Sequence, residues 1–173
     1  MSLYPFDQLK LSLVRTASMR MAALLLMIGC SFSKGTKKDF ATGLGTSYNG
    51  FAIDNIAVVG DGDKALSSAE VPMDSKFAIV FQGIENYTLK NEKAFPGLAI
   101  TVTDSKGTEI MKEADLFAGS AEGYSSEDAS VLRGTITVAS PMEAGQSYHC
   151  KIRVFDKNNS TSEIESEMDF KVK

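Results

Sequence analysis

Hydrophobic and polar residues alternate through most of the chain after residue 40, in short segments separated by Gly, Pro, Asn and Asp. Alternation places successive side chains on opposite faces of a strand, whereas an amphipathic helix repeats about every 3.6 residues. No window after residue 40 sustains the helical period. The pattern therefore predicts an all-β domain.

The last two predicted strands show the alternation most clearly. The first alternates apolar residues with Lys151 and Arg153, and the second alternates them with acidic residues from Glu163 to Asp169. A turn beginning at Asp156 separates the two strands. We expect a hairpin whose outer faces carry opposite charges, each exposed pair contributing about a few tenths of a kcal/mol.

Other segments complete a set of about seven strands. They are residues 51–58, broken by a bulge; 76–84, covered on both faces; 98–103; a short strand around Ile110; and 132–138. Gly- and Asp-rich turns between several of these segments favour antiparallel pairing. The prediction is an antiparallel β-sandwich, and its 173-residue chain has room for one ordinary domain.

The N-terminal segment has a different composition. Residues 21–29 are an uninterrupted apolar run, preceded by Arg15 and Arg20 and followed by Cys30. The run is shorter than the roughly 20 residues that cross a bilayer, so residues 1–29 are predicted to be a signal segment. Met19 makes a more compact start for such a segment than Met1.

The remaining boundaries follow from composition. Residues 30–46 are rich in Ser, Gly, Thr and Lys and are predicted to be a flexible tether. Residues 47–173 are predicted to be the folded domain.

The junction Leu26-Met27-Ile28-Gly29-Cys30 resembles the lipobox of bacterial lipoproteins. That resemblance implies that Cys30 is acylated, for example with palmitate, and anchors the chain in a membrane. Ser31 implies the outer membrane, on either its periplasmic or its external side. Met27 stands where that family prefers leucine, so secretion without a lipid remains an alternative.

A second resemblance covers the segment from Glu143 to Cys150, which is similar to the entry to the sixth strand of immunoglobulin-like domains. In that family a Tyr two residues before a Cys forms the tyrosine corner, and Tyr148 has this spacing from Cys150. The family's second cysteine and its Trp are absent. With the lipobox, the chain resembles Bacteroidetes-type envelope lipoproteins that carry a single immunoglobulin-like domain.

Charge and cysteine content narrow the partners. The formal net charge is −4, and without the three basic residues and one acidic residue of the first thirty positions it falls to −6. This balance argues against a nucleic-acid partner. Cys30 and Cys150 are the two cysteines, so no disulfide framework is expected. We expect a monomer.

Few residues suggest catalysis or metal binding. His149 is the single histidine and is predicted to lie on an outer face, while Cys150 is predicted to be a buried, unreactive thiol. The oxygen-rich turns at residues 61–63 and 156–159 lack the spacing of a calcium loop. We therefore predict no catalytic residue, no metal and no cofactor.

Two long predicted loops carry aromatic residues and are the candidate partner-binding sites. Residues 85–97 contain Tyr87 and Phe95, and residues 114–129 contain Phe117 and Tyr124. Loops commonly carry the function of a sandwich, although these rings could instead fold back and close its end. The predicted function is a non-catalytic binding or accessory module for a glycan or an envelope protein. The alternative is a small glycan hydrolase that works with carboxylates alone.

Overall fold

A computed structural model describes residues 33–173, which form an all-β sandwich of two antiparallel sheets, as predicted. The predicted signal segment, residues 1–29, and Cys30 lie outside the described residues. The ten strands are β1 Lys34–Lys38, β2 Gly45–Asn49, β3 Asn55–Val59, β4 Glu70–Val71, β5 Ser75–Gln82, β6 Pro96–Asp104, β7 Glu109–Glu113, β8 Val131–Val138, β9 Ser147–Asp156 and β10 Asn159–Val172. A 3₁₀ turn at Asp61–Asp63 and a short helix, α1 Ser126–Ala129, complete the elements.

The strand order is that of an immunoglobulin-like sandwich. The smaller sheet has the order β3-β5-β8, matching strands A-B-E, and β10-β9-β6-β7 matches G-F-C-C′ in the larger sheet. Two additions extend the larger sheet: the hairpin β1-β2 pairs with β10, and β4 pairs with β10 in parallel.

The tyrosine corner is present. Tyr148 is buried, and its hydroxyl oxygen accepts a hydrogen bond from the backbone N–H of Glu143 at 2.8 Å. Its ring lies 5.7 Å from that of Phe170 on β10. The sequence-based interpretation of this segment as the entry to the sixth strand is therefore confirmed.

The core lies between the two sheets. Phe77, Ile79 and Phe81 on β5 are fully buried, and so are the inward-facing residues of β9 and β10. Gly134 on β8 makes close packing possible, because a Cβ atom there would lie 2.6 Å from Cδ1 of Ile152. Across the core, a glycine of the smaller sheet thus faces an isoleucine of the larger sheet.

The charged hairpin β9-β10 has the predicted faces. Lys151 Nζ lies 2.7 Å from Glu165, and Arg153 Nε lies 3.0 Å from Glu163. Both pairs are diagonal. Lys151 lies directly opposite Glu167 and Arg153 opposite Glu165, and each bonds to the glutamate two residues before its opposite residue. The complementary charges follow from two alternating strands placed side by side.

The predicted tether is wrong from Lys34 onward. Residues 34–38 and 45–49 form the hairpin β1-β2, and five residues of β2 pair with β10. The hairpin is held by contacts that its composition does not reveal: Leu44 is buried in the core, and Lys37 Nζ donates to the carbonyl oxygens of Ile53 and Asp54.

Other departures are smaller. The three strands beyond the predicted seven are β1, β2 and β4, and the first predicted strand is shortened to Asn55–Val59. Residues 51–53 precede it, and Ala52 forms an isolated bridge to Glu85. Within residues 33–173, no helix is long and apolar enough to span a membrane.

Candidate functional site

The two long loops meet the β9-β10 turn at one end of the sandwich, which we call the loop end: residues 83–95, 114–130 and 157–158. Asp156 is the buried centre of this arrangement. Its carboxylate accepts hydrogen bonds from the backbone N–H of Thr88 at 2.7 Å and of Asn158 at 2.9 Å. One aspartate therefore fixes a loop and a turn together.

Asp115 connects the second loop to the same turn. Its carboxylate lies 2.7 Å from Lys157 Nζ and accepts hydrogen bonds from the backbone N–H groups of Phe117 and Leu98. Burial opposes ionisation of Asp115, but the bonds from Lys157 and the backbone outweigh it and lower its pKa. Lys157 also donates to the carbonyl oxygen of Phe117 at 2.7 Å. Asp115 and Lys157 thus connect the second loop to β6 and to the β9-β10 turn.

The four predicted aromatic residues fold back into this end, and all of them are half-buried. Tyr87 packs edge-on against Phe51 at 4.9 Å, and its hydroxyl donates to the carbonyl oxygen of Ala129. Burial, assisted by the negative charge of Asp156, raises the pKa of Tyr87.

Phe117 and Tyr124 form a perpendicular pair with centroids 5.5 Å apart. Phe95 lies beside Gly123, which has a positive φ of 67°. A Cβ atom at Gly123 would lie 2.9 Å from Cζ of the Phe95 ring, so the ring can approach only because glycine has no side chain. The structure brings these three residues together through the bridge between Ala94 and Tyr124. All four rings brace the loops, and their role in binding a partner stays a prediction.

Two exposed apolar side chains at the loop end are not among the predicted candidate binding residues. Leu89 is 49% exposed and Leu116 is 47% exposed. A leucine within an alternating pattern is predicted to face the core, but a single leucine in a loop has no pattern that predicts whether it is buried or exposed. These two residues present apolar surface where the four rings do not.

A second surface lies on the outer face of the larger sheet, along β2. The outward residues of β2 are small: Gly45, Ser47 and Asn49. On one side they pair with Lys38, Thr36 and Lys34 of β1, and on the other with Glu167, Glu165 and Glu163 of β10. Because short side chains lie between two rows of longer ones, the face forms a groove, which we call the β2 trough.

The trough consists of two adjoining cavities of about 590 Å³ and about 290 Å³, which share Thr36 and Ser47 as lining residues. Phe40, in the turn between β1 and β2, lines the larger cavity and is 89% exposed. It is the most exposed large apolar side chain reported for the described residues. Sequence reasoning missed this surface because it assigned the β1 wall, Phe40 and Gly45 to the tether.

The trough has one basic wall and one acidic wall. The β10 wall presents Glu163, Glu165 and Glu167, the first two already paired with Arg153 and Lys151 of β9. His149 lies beyond Glu167, with ring nitrogens 3.8 Å from Glu167 and 2.8 Å from Asp169. These carboxylates stand in one row along one strand.

The remaining candidates for chemistry have ordinary surroundings. Cys150 is fully buried, and burial raises its pKa to about 12, so it carries no thiolate near neutral pH. In the part of the chain that the structure describes, no group of three or more His, Cys, Asp or Glu side chains is placed to hold a metal ion.

Comparisons with known proteins add little. No protein-family model and no curated protein matches the sequence. Among solved structures, the chain is similar to the C-terminal domain of wzt, with 9% identity, a TM-score of 0.46, and coverage of 81% of this chain and 78% of that one. The class defined by the strand order is an immunoglobulin-like β-sandwich with an added edge hairpin.

Proposed function

We propose that this chain is a non-catalytic lipoprotein of the cell envelope, anchored through Cys30 in the outer membrane and acting as a binding or accessory module for a glycan or an envelope protein. One observation carries the proposal: Ser33, three residues after Cys30, lies at the loop end. Gly50 N–H donates to the carbonyl oxygen of Ser33 at 2.6 Å. Lys34 pairs with Asn49, which pairs in turn with Glu163 beside the β9-β10 turn.

The anchor would hold the domain close to the membrane. Three residue steps separate Cys30 from Ser33, and an extended chain spans at most about 11 Å over that length. The flexible tether expected from composition would reach much farther. A lipid on Cys30 would therefore keep the loop end close to the bilayer, and this favours a partner in the same membrane or at its surface.

The shape and chemistry of the surfaces support binding over hydrolysis. Glycosidases place two carboxyl groups on opposite sides of the scissile bond. The acidic residues of the trough instead line one wall, and two of them form ion pairs with β9. The loops of the loop end are held together by hydrogen bonds to Asp156 and by the ion pair between Asp115 and Lys157. A surface fixed in this way, with Leu89 and Leu116 exposed, is suited to contact a partner without reorganising.

Lipidation is tested by labelling with radioactive palmitate in cells that process bacterial lipoproteins. Wild type and the control Ser31→Ala should incorporate label, and Cys30→Ala should not. Label on Cys30→Ala, or no label on wild type, would overturn the anchor.

Partner binding is tested by crosslinking the anchored protein in its own membrane. Leu89→Asp and Leu116→Asp should each remove a specific crosslinked partner, whereas Thr137→Asp, a change at an exposed residue near the opposite end of β8, should retain it. An identical crosslinking pattern in all four proteins would refute the loop-end assignment.

A further inference from the structure

We propose that the β2 trough is a binding site for a segment of uncharged glycan chain, an inference that rests on the proposed binding function and gives it a second site and a ligand class. The larger cavity, about 590 Å³, falls within the range of roughly 300 to 1,000 Å³ that small-molecule sites occupy. Apart from Phe40, its lining residues belong to paired strands, so the site is built on a rigid surface.

The floor of the trough excludes a peptide that binds by adding a strand. Such a peptide needs unpaired backbone groups, but β2 is paired with β1 on one side and β10 on the other. A ligand in the trough must therefore be recognised by side chains. The hydroxyls of Thr36 and Ser47 and the amide of Asn49 both donate and accept hydrogen bonds, as the hydroxyl groups of a sugar do.

The two walls favour a ligand without net charge. A polyanion attracted by Lys34 and Lys38 would meet the repulsion of Glu163, Glu165 and Glu167 across the floor. A polycation attracted by these glutamates would be repelled by Lys34 and Lys38. Sugar hydroxyls can donate to the carboxylates and accept from the ammonium groups, so an uncharged glycan can use both walls at once.

Phe40 supplies the apolar part of the site. Its ring is 89% exposed at the end of the larger cavity, which leaves its faces free to contact the apolar C–H face of a sugar ring. The turn that carries it is fixed: Asp39 accepts hydrogen bonds from Ala41 N–H at 2.9 Å and from Thr42 Oγ1 at 2.6 Å. An exposed ring on a fixed turn is prearranged for a ligand.

The experiment uses the full chain in detergent micelles and affinity electrophoresis through gels that contain a neutral glucan, mannan or galactan, or an acidic polyuronate. At least one neutral polysaccharide should retard the wild type, with weak dependence on salt. Phe40→Ala and Ser47→Phe should weaken retardation at least tenfold, the first by removing the ring and the second by filling the trough. The matched controls are Val131→Ala and Thr137→Phe, on the exposed face of β8, and they should bind like wild type.

Several outcomes would overturn the inference. One is retardation by the polyuronate alone, and another is retardation by none of the polysaccharides. A third is equal binding of a neutral polysaccharide by wild type and both trough variants. Each leaves palmitate labelling and the Leu89 and Leu116 crosslinks unaffected, so failure of the trough is distinguishable from failure of the proposed function.

Discussion

Asp115→Ala should loosen the loop end more than any other single substitution of an acidic residue in these loops. The first residues of β6 lie beyond the end of β7 and have no partner there in that strand. At this point the carboxylate of Asp115 accepts a hydrogen bond from the backbone N–H of Leu98 at 3.2 Å. Leu98 is fully buried, so removing that acceptor leaves a buried N–H group without its partner.

The magnitude follows from three contacts. An unsatisfied buried N–H group costs about 1–3 kcal/mol, and the lost bond to the half-buried N–H of Phe117 adds about 0.5–1 kcal/mol. The ion pair with Lys157, with side chains 27% and 17% exposed, adds at most about 1 kcal/mol. Asp115→Ala should therefore lower the free energy of unfolding by about 1.5–5 kcal/mol, whereas Asp115→Asn, which keeps an acceptor oxygen, should cost about 1 kcal/mol.

The pH dependence has a definite sign. The folded-state pKa of Asp115 is lowered from its ordinary value of 3.8, so its ionised form adds stability above that value. That stability is lost as pH falls through the folded-state pKa. The gap between wild type and Asp115→Asn should therefore be full at neutral pH and shrink below pH 3.8.

Urea unfolding of a soluble form with residues 33–173, followed by circular dichroism at several pH values, measures these differences. The control is Glu122→Gln, an exposed acidic residue of the same loop, which should be neutral. Equal stability of Asp115→Ala and the control, or a gap that does not change at low pH, would refute the reasoning.

Three further predictions concern the core and the strand faces. Tyr148→Phe should cost about 1 kcal/mol in urea unfolding, because the bond from Glu143 N–H is lost, and a neutral result would remove the evidence for a working tyrosine corner. Cys150 should react with a maleimide only after unfolding, and reductant should leave the melting temperature unchanged; labelling of the folded protein would contradict its burial. Ile152→Ala should cost about 2–5 kcal/mol, whereas His149→Ala, on the outer face, should stay within about 0.5 kcal/mol; similar costs for both would show that the faces of β9 are misassigned.

The sequence predicted the sandwich best where each strand carries its own signal. In β9 and β10 most of the alternate, inward-facing residues are apolar, so burial sets which face is inward, and the charged faces follow. Tyr148 was identified by its spacing from Cys150, a local feature that does not depend on distant parts of the chain.

The candidate sites were harder to predict because they depend on distant contacts. Residues 34–46 have the composition of a linker, and the strands β1 and β2 exist because β2 pairs with residues 163–167 of β10. No local pattern encodes that partner. The sequence also did not determine the direction of the rings of Tyr87 and Phe117, since an aromatic residue in a loop can face a partner or the domain. In the structure, Tyr87 packs against Phe51 and Phe117 packs against Tyr124.

The edge hairpin connects the two proposed surfaces. Ser33 and Lys34 lie at the loop end, where a lipid on Cys30 would place the membrane, and β1 then leads away from that end toward the turn that carries Phe40. The trough runs along the same hairpin, so the proposed glycan site begins at the loop end and extends toward Phe40. A glycan chain bound in the trough would therefore have one end beside the surface proposed to bind a protein. Because β1 and β2 are paired to the sandwich throughout, a lipid on Cys30 would lie three residue steps from the folded domain instead of at the far end of the predicted tether.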